Sequence, residues 1–355
     1  MQATIVAAAL VAGIAPLSAA TVERWFSTSL YPSLQRAITP VTNAAPFALF
    51  DLLTVAAALA LIVAVVRGIR RARRDRSLRP LAMTLRQLAV AGAAAYLVFL
   101  VFWGLNYRRV PMSERLLLEH AAPSTDAVVT LGFEAVERLN ALHDEGHRIG
   151  WPSPPWETTP LVEAFADVQR RLSDAPTAVP GRLKQSLYGP YFRWTSIDGM
   201  VNPFALEVLE NPDLLPFERP MVAAHEWAHL AGYADESEAN FVGWLTCVRA
   251  DVPSQYSGWM HLYWQISGEL GAENRKRLWD RLAEGPRRDV EAIGERIRRG
   301  QLPLLRSASW RVYDHYLRAN RVEEGIRSYD LVVTLILRAR FEDGWTPVRR
   351  TAPSR

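Results

Sequence analysis

The sequence predicts a mainly α protein: three N-terminal transmembrane helices, then a helical α+β domain with a small β element before an H-E-x-x-H helix. Three observations carry this. Residues 1–105 of the 355-residue chain hold three long apolar runs, whereas the remainder is rich in Trp, Arg and Glu. A dense arginine cluster separates the second run from the third. The stretch "MVAAHEWAHLAG" (221–232) places two histidines four apart, after a segment that lacks helical periodicity. The expected division is an anchor over 1–110, with helices at about 3–20, 47–66 and 88–105, and an extracytoplasmic domain over 111–350.

The first run, "ATIVAAALVAGIAPLSAA" (3–20), is short and contains Pro16. No basic residue precedes it, so the charged start of a signal peptide is missing. It is expected as an uncleaved helix, with cleavage the alternative. Phe47–Val66 and Leu88–Leu105 are each long enough to span a bilayer. The third run closes on "FWGLNYRR", where Trp103 and Tyr107 suit an interfacial belt. The loop 67–86 carries eight arginines (67, 70, 71, 73, 74, 76, 79 and 86) and is expected in the cytoplasm. That orientation places everything after Asn106 outside the cytoplasmic membrane, in the periplasm or beyond the cell.

The formal charge of +4 is concentrated in that arginine stretch. It therefore points to a lipid bilayer rather than to a nucleic acid. Cys247 is the single cysteine, which excludes an intramolecular disulfide and a Cys-type zinc site. It reads as a small buried hydrophobe. No phosphate loop and no Ser or Cys triad stands out.

Beyond Pro111, residues 126–148 and 157–173 read as amphipathic helices. In 178–220, "YFRWTSI" and "ALEVLE" read as short extended pieces around a turn at Asp198–Gly199. Helices resume at about 217. "LVVTLIL" (331–337) is too short to span and is expected as a core helix. The end, "TPVRRTAPSR", is expected to fray.

Residues four apart on a helix share a face. His225 and His229 can thus offer two imidazoles to one zinc ion. Glu226, one residue on, is placed beside an open coordination position and serves as general base. Gly232 is a natural helix terminator, and a second helix begins at once with "DESEANFVGWLTCV". A three-ligand catalytic site needs one more donor. Asp235 fits H-E-x-x-H-x-x-G-x-x-D. Asp235 and Glu238 also fit a capping pair, which leaves Glu236 as the favoured ligand and Asn240 as its neighbour one turn on. Asp235 and Glu238 remain the competing ligands.

"HEWAH", Gly232 and "ESEAN" resemble the bacterial membrane proteins grouped as domain of unknown function 3810. So do "VERWFSTSLYPSLQRAITPVTNAAPFALFD", "FWGLNYRR", "SIDGMVNPFALEVLEN", "QYSGW" and "VYDHYLRANRVEEGIRSYD". The resemblance covers most of the chain. It implies three membrane helices followed by a zincin-like domain. "ESEAN" also resembles the E-x-x-A-D box of integral-membrane zinc proteases that process prenylated proteins. There the first Glu is a metal ligand, which carries over onto Glu236; Asn240 departs from their Asp.

The expected function is a membrane-anchored zinc metallohydrolase, a peptidase acting on a peptide or protein, with His225, His229 and Glu236 on zinc and Glu226 as base. The alternatives are an idle zinc-binding scaffold or sensor and a metal-free helical interaction protein. Tyr329 is the leading candidate to steady the oxyanion, ahead of Tyr316, Asn320 and Tyr256. Glu207 is placed on a strand before the active helix, either holding a peptide by edge pairing or facing solvent. "HDEGH" (143–147) repeats the histidine spacing without the glutamate, and is expected as a solvated helix face, with an accessory metal site the alternative. The pattern fixes no oligomeric state.

Overall fold

A computed structural model of the chain describes residues 2–151, 160–320 and 331–350. The chain is mainly helical. The first apolar run does not form the single helix expected over 3–20. Helix α1 spans Gln2–Ile14 and stops before Pro16, which has no amide to continue the ladder. Ser18 then caps the short α2 (Ala19–Val22), its Oγ accepting from Thr21 N at 3.2 Å. Wider π-type turns over Glu23–Leu30 lead into α3 (Tyr31–Ala44). The axis bends by 115° between Gln2–Ile14 and Ala19–Ala44.

Helices α4 (Leu49–Asp75) and α5 (Arg79–Phe102) are long and apolar enough to cross a membrane; the bent pair makes a third candidate span. The arginine segment expected as a loop over 67–86 is mostly helix. Arginine is a good helix former, so α4 simply continues past its apolar part. The reversal is confined to the few residues around Arg76, which adopts φ +47°. Gly68 admits Thr84 between α4 and α5: a Cβ there would lie 2.6 Å from Thr84 Oγ1. Arg108 covers the end of α1, donating to Ala12 O at 2.9 Å and Gly13 O at 3.2 Å.

The remaining helices are α6 (Met112–Arg115), α7 (Thr125–Ile149), α8 (Pro160–Leu172), α9 (Gly189–Thr195), α10 (Arg219–Leu230) and α11 (Glu236–Val248). They are followed by α12 (Val252–Glu269), α13 (Ala272–Arg281), α14 (Glu284–Gly300), α15 (Pro303–Ala319) and α16 (Leu331–Arg338). Helices α7, α8 and α16 fall where the periodicity places them, although residues 157–159 and the last five lie outside the described residues. "YFRWTSI" is not extended. Pro190 sits in the first turn of α9, where its missing amide costs nothing, and Ser196 ends the helix at φ +57°.

A small sheet joins β1 (Leu183–Lys184), β2 (Gly199–Asn202) and β3 (Glu207–Glu210) in the order β1-β3-β2. β1 is parallel to β3, and β2 is antiparallel to it. The hairpin turns at 203–206, with Leu206 at φ +48°, not at Asp198–Gly199. A short hairpin of β4 (Phe341–Glu342) and β5 (Thr346–Pro347) follows α16.

One core runs from Val22 to Ala339, with Trp227, Trp244, Trp259, Phe165 and Phe241 fully buried in it. The α3 segment packs on the same core: Tyr31 donates to Leu230 O at 2.9 Å and Thr39 to Leu206 O at 2.9 Å. Helices α10 and α11 touch closely at Gly243, where a Cβ would lie 3.0 Å from His225 N. That close approach brings the start of α11 against the histidine face of α10.

Candidate metal centre

Helix α10 starts with Pro220 in its first turn and is buried on nearly every side. His225 and His229 stand one turn apart on its remaining face. The helix ends at Ala231, and Gly232 turns the chain at φ +85°, a conformation that favours glycine. Arg109 donates to Gly232 O at 2.9 Å and fixes the turn. Asp235 then caps α11, accepting from Ser237 N at 2.9 Å and Glu238 N at 3.1 Å. The return half of the expected capping pair is not formed. Glu238 turns to α6 instead, accepting from Met112 N, with Arg115 3.5 Å away. Both competing acids are thus occupied elsewhere. Glu236, in the first turn of α11, points at α10, and its Oε2 lies 3.4 Å from the Nε2 of both His225 and His229.

These three atoms lie within 4.8 Å of one another. Two atoms each bonded to a tetrahedral zinc at its usual distance are about 3.4 Å apart. The spacing therefore suits one small metal ion. Tautomers make the same point. His229 Nδ1 lies 2.7 Å from the carbonyl of Tyr233, which can only accept, so Nδ1 carries the proton. Its Nε2 then presents a lone pair to a carboxylate oxygen. That contact needs a cation between the two atoms, and either a proton on Nε2 or a metal ion supplies it. Burial pushes His229 down, but Glu236 and Glu226 outweigh it and carry its pKa up to about 9. Burial also works against a charged Glu236, yet the two imidazoles hold it well below the usual carboxylate range. Glu226 is shifted the other way, upward, chiefly by burial.

The cluster opens into a cleft of about 430 Å³. Glu226 lines it, with Oε2 buried and without a hydrogen-bond partner. Gly199 of β2 makes room for that carboxylate: a Cβ would lie 2.5 Å from Glu226 Oε1. Among the described residues β2 is an edge strand, and Gly199, Met200 and Val201 line the cleft. The opposite wall is α15. Tyr313 donates to Glu236 Oε1 at 2.5 Å, and Tyr316 stacks beside it with ring centroids 5.9 Å apart. From the segment just after α5, Trp103 and Tyr107 add to the lining. Trp103 is buried against His229 rather than held in an interfacial belt.

The sequence-predicted set His225, His229, Glu236 and Glu226 is therefore brought together. Tyr329 lies outside the described residues. Tyr316 lines the cleft, Asn320 bonds the carbonyl of Tyr316 in its own helix, and Tyr256 donates to Asp289. Asn240 is buried, but among the described residues its Nδ2 has no hydrogen-bond partner, and it is Tyr313 that bonds Glu236. Glu207 is on the central strand β3 and fully buried, paired with Lys184 at 2.9 Å; it neither faces solvent nor offers a free edge. His147 is exposed as expected and His143 half-buried, but the face is not merely solvated: both rings turn toward Asp289. Sequence reasoning missed Tyr313, Trp103 and Gly199 as parts of the site. The i, i+3 pair Tyr313 and Tyr316 was the one local signal for the α15 wall.

Fold and site together describe a mainly helical chain with two or three membrane-length apolar helices and a buried His–His–Glu cluster beside a cleft. The family described as a protein of unknown function, DUF3810, matches residues 26–337, and the chain belongs to it. No curated protein and no solved structure matches the chain.

Proposed function

We propose that the protein is a membrane-anchored, zinc-dependent metallohydrolase of zincin-like type, acting as a peptidase. The observation that carries this reading is the convergence of His225 Nε2, His229 Nε2 and Glu236 Oε2, with 3.4 Å from the carboxylate oxygen to each nitrogen. His225, His229 and Glu236 would hold zinc, which when bound supplies a Lewis acid and an activated water at neutral pH. Glu226 acts as general base, and burial suits it to the task by making its carboxylate more basic than usual. It takes the proton of the attacking water and passes it to the leaving amine. Tyr313 keeps Glu236 turned to the histidines through its hydrogen bond. The free edge of β2 offers backbone groups to an extended chain, which favours a peptide or protein over a small molecule.

Residues 1–110 act as the anchor in this reading and 111–350 as the catalytic part. The arginines between the apolar stretches of α4 and α5 favour a cytoplasmic position for that hairpin. The cleft is then on the periplasmic or extracellular side of a bacterial cytoplasmic membrane.

The test is metal content and proteolysis of the full chain in detergent, for wild type, Glu226→Gln, Glu236→Ala and Asp235→Ala. Wild type should carry zinc in this cluster and cleave an unfolded protein mixture. Glu226→Gln should keep the zinc and lose cleavage. Glu236→Ala should lose that zinc while Asp235→Ala keeps it. Wild type whose metal content Glu236→Ala leaves unchanged would remove the metal reading. Zinc bound there with no cleavage above Glu226→Gln would leave a scaffold or sensor.

A further inference from the structure

We propose that the protein has a second metal site, built from His143 and His147 of α7 and Asp289 of α14, for a divalent ion of the zinc class. It is independent of the cluster on α10 and α11. His147 Nε2 lies 2.8 Å from Asp289 Oδ2, a hydrogen bond whose proton an ion would replace, and His143 Nε2 lies 3.8 Å from the same oxygen. The three atoms fall within 4.8 Å of one another, and the two distances bracket the separation of about 3.4 Å expected between ligands of one tetrahedral zinc. Two imidazoles and a carboxylate suit such an ion, and no thiol is within the chain's means because Cys247 is buried elsewhere.

The hydrogen bonds around the cluster orient it for a cation. His143 Nδ1 lies 2.7 Å from Asp144 Oδ1, and a carboxylate oxygen accepts. Nδ1 therefore carries a proton, and the neutral ring that a metal requires turns its Nε2 lone pair toward Asp289. Two acceptors face each other across 3.8 Å, as at the first cluster. Tyr256 of α12 donates to Asp289 Oδ2 at 2.5 Å, the kind of outer hydrogen bond that holds a metal-ligating carboxylate in place. Gly285, in the first turn of α14, leaves the space that the His143 ring fills. A Cβ there would lie 2.3 Å from His143 Cε1. His147 keeps 39% of its side chain exposed, so an ion can enter from solvent. A metal here fastens α14 across α7 and α12.

The experiment uses the untagged full-length protein in detergent, stripped with chelator and titrated with Zn²⁺ and with Co²⁺. Stoichiometry is read by mass spectrometry of the metal and by the visible bands of bound Co²⁺. Wild type should bind two equivalents. His147→Ala and Asp289→Asn should each bind one, as should Gly285→Ala, which leaves every ligand intact but displaces the His143 ring. Glu236→Ala should retain the equivalent at this second cluster, so failure of the first site does not remove it. Unchanged stoichiometry and Co²⁺ spectrum in both His147→Ala and Asp289→Asn would overturn the proposal and leave a cluster that holds a proton only.

Discussion

Trp103 donates its indole Nε1 to the carbonyl of His229 at 3.1 Å, and the two rings meet edge to face with centroids 6.2 Å apart. Trp103 directly follows α5, so a membrane-length helix ends on a candidate metal ligand. The His229 carbonyl also accepts from Gly232 N at 2.9 Å and stays satisfied without the indole. Trp103→Phe should therefore lower stability by only about 1 kcal/mol. It should weaken zinc binding several-fold, because the imidazole loses the wall that sets its orientation. Thermal unfolding and zinc titration in detergent check the two effects separately. A loss of stability with unchanged zinc affinity would reduce Trp103 to packing.

Gly199 tests Glu226 without replacing any ionisable group. The atoms nearest the Cβ of Gly199→Ala all belong to the Glu226 side chain, Oε1 at 2.5 Å and Cδ and Cγ at 2.9 Å. The fold can absorb this because the carboxylate can swing away. A displaced general base loses rate steeply, on the order of 100-fold for about 1 Å. Gly199→Ala should keep the thermal midpoint and zinc content of wild type and lose most proteolysis. Activity within two-fold of wild type would show that Glu226 need not sit over β2.

The Glu207 carboxylate sits where α4 begins. It accepts from Leu49 N at 3.0 Å and Phe50 N at 2.7 Å, since Ala48 at the N-cap has no side chain to do so. Lys184 pairs with it at 2.9 Å, and both side chains are essentially inaccessible. Lys184→Met leaves a buried carboxylate without its cation, which should cost about 3 kcal/mol. The double variant Lys184→Met with Glu207→Gln should recover part of that loss, as a chemical denaturation series would show. A single Lys184→Met variant as stable as wild type would mean that the amides of α4 and the Asn202 side chain, 3.0 Å from Oε1, hold the charge without the lysine.

The same residue shows where sequence reading stops. The α10–α11 unit was legible because its signals are local: the i, i+4 histidines, Gly232, and Asp235 capping two residues ahead. The division among Asp235, Glu236 and Glu238 followed from capping chemistry, although Glu238 found its partner over a hundred residues away at Met112. Glu207 was misread because its partners, Lys184 and the start of α4, are distant in the chain. Pairing of that kind has no periodicity. The partner of His143 and His147 is hidden in the sequence for the same reason: Asp289 and Tyr256 arrive from other helices. The break at Pro16 was visible as a residue, but the 115° bend it initiates depends on how Tyr31 and Thr39 dock against α10 and β3.

Glu218 should give the protein a pH response separate from either candidate metal cluster. Its carboxyl is pushed from the usual 4.5 up to about 7, first by burial and then by Asp198; the Arg296 guanidinium at 2.7 Å offsets this only in part. A folded-state pKa above the unfolded one means that the native protein binds the proton more tightly. The contribution of this group to stability is thus fully present below about pH 4.5 and is lost as pH rises through about 7. Glu218→Gln removes that titration, and Arg296 keeps Asp198 at 3.0 Å as a partner. The wild-type midpoint minus that of Glu218→Gln should fall as pH increases from about 4.5 to 7 and level off above it. Melting curves of the two proteins in matched buffers measure the difference directly. A difference that stays flat or rises across this window would show that Arg296 fully compensates the burial of Glu218.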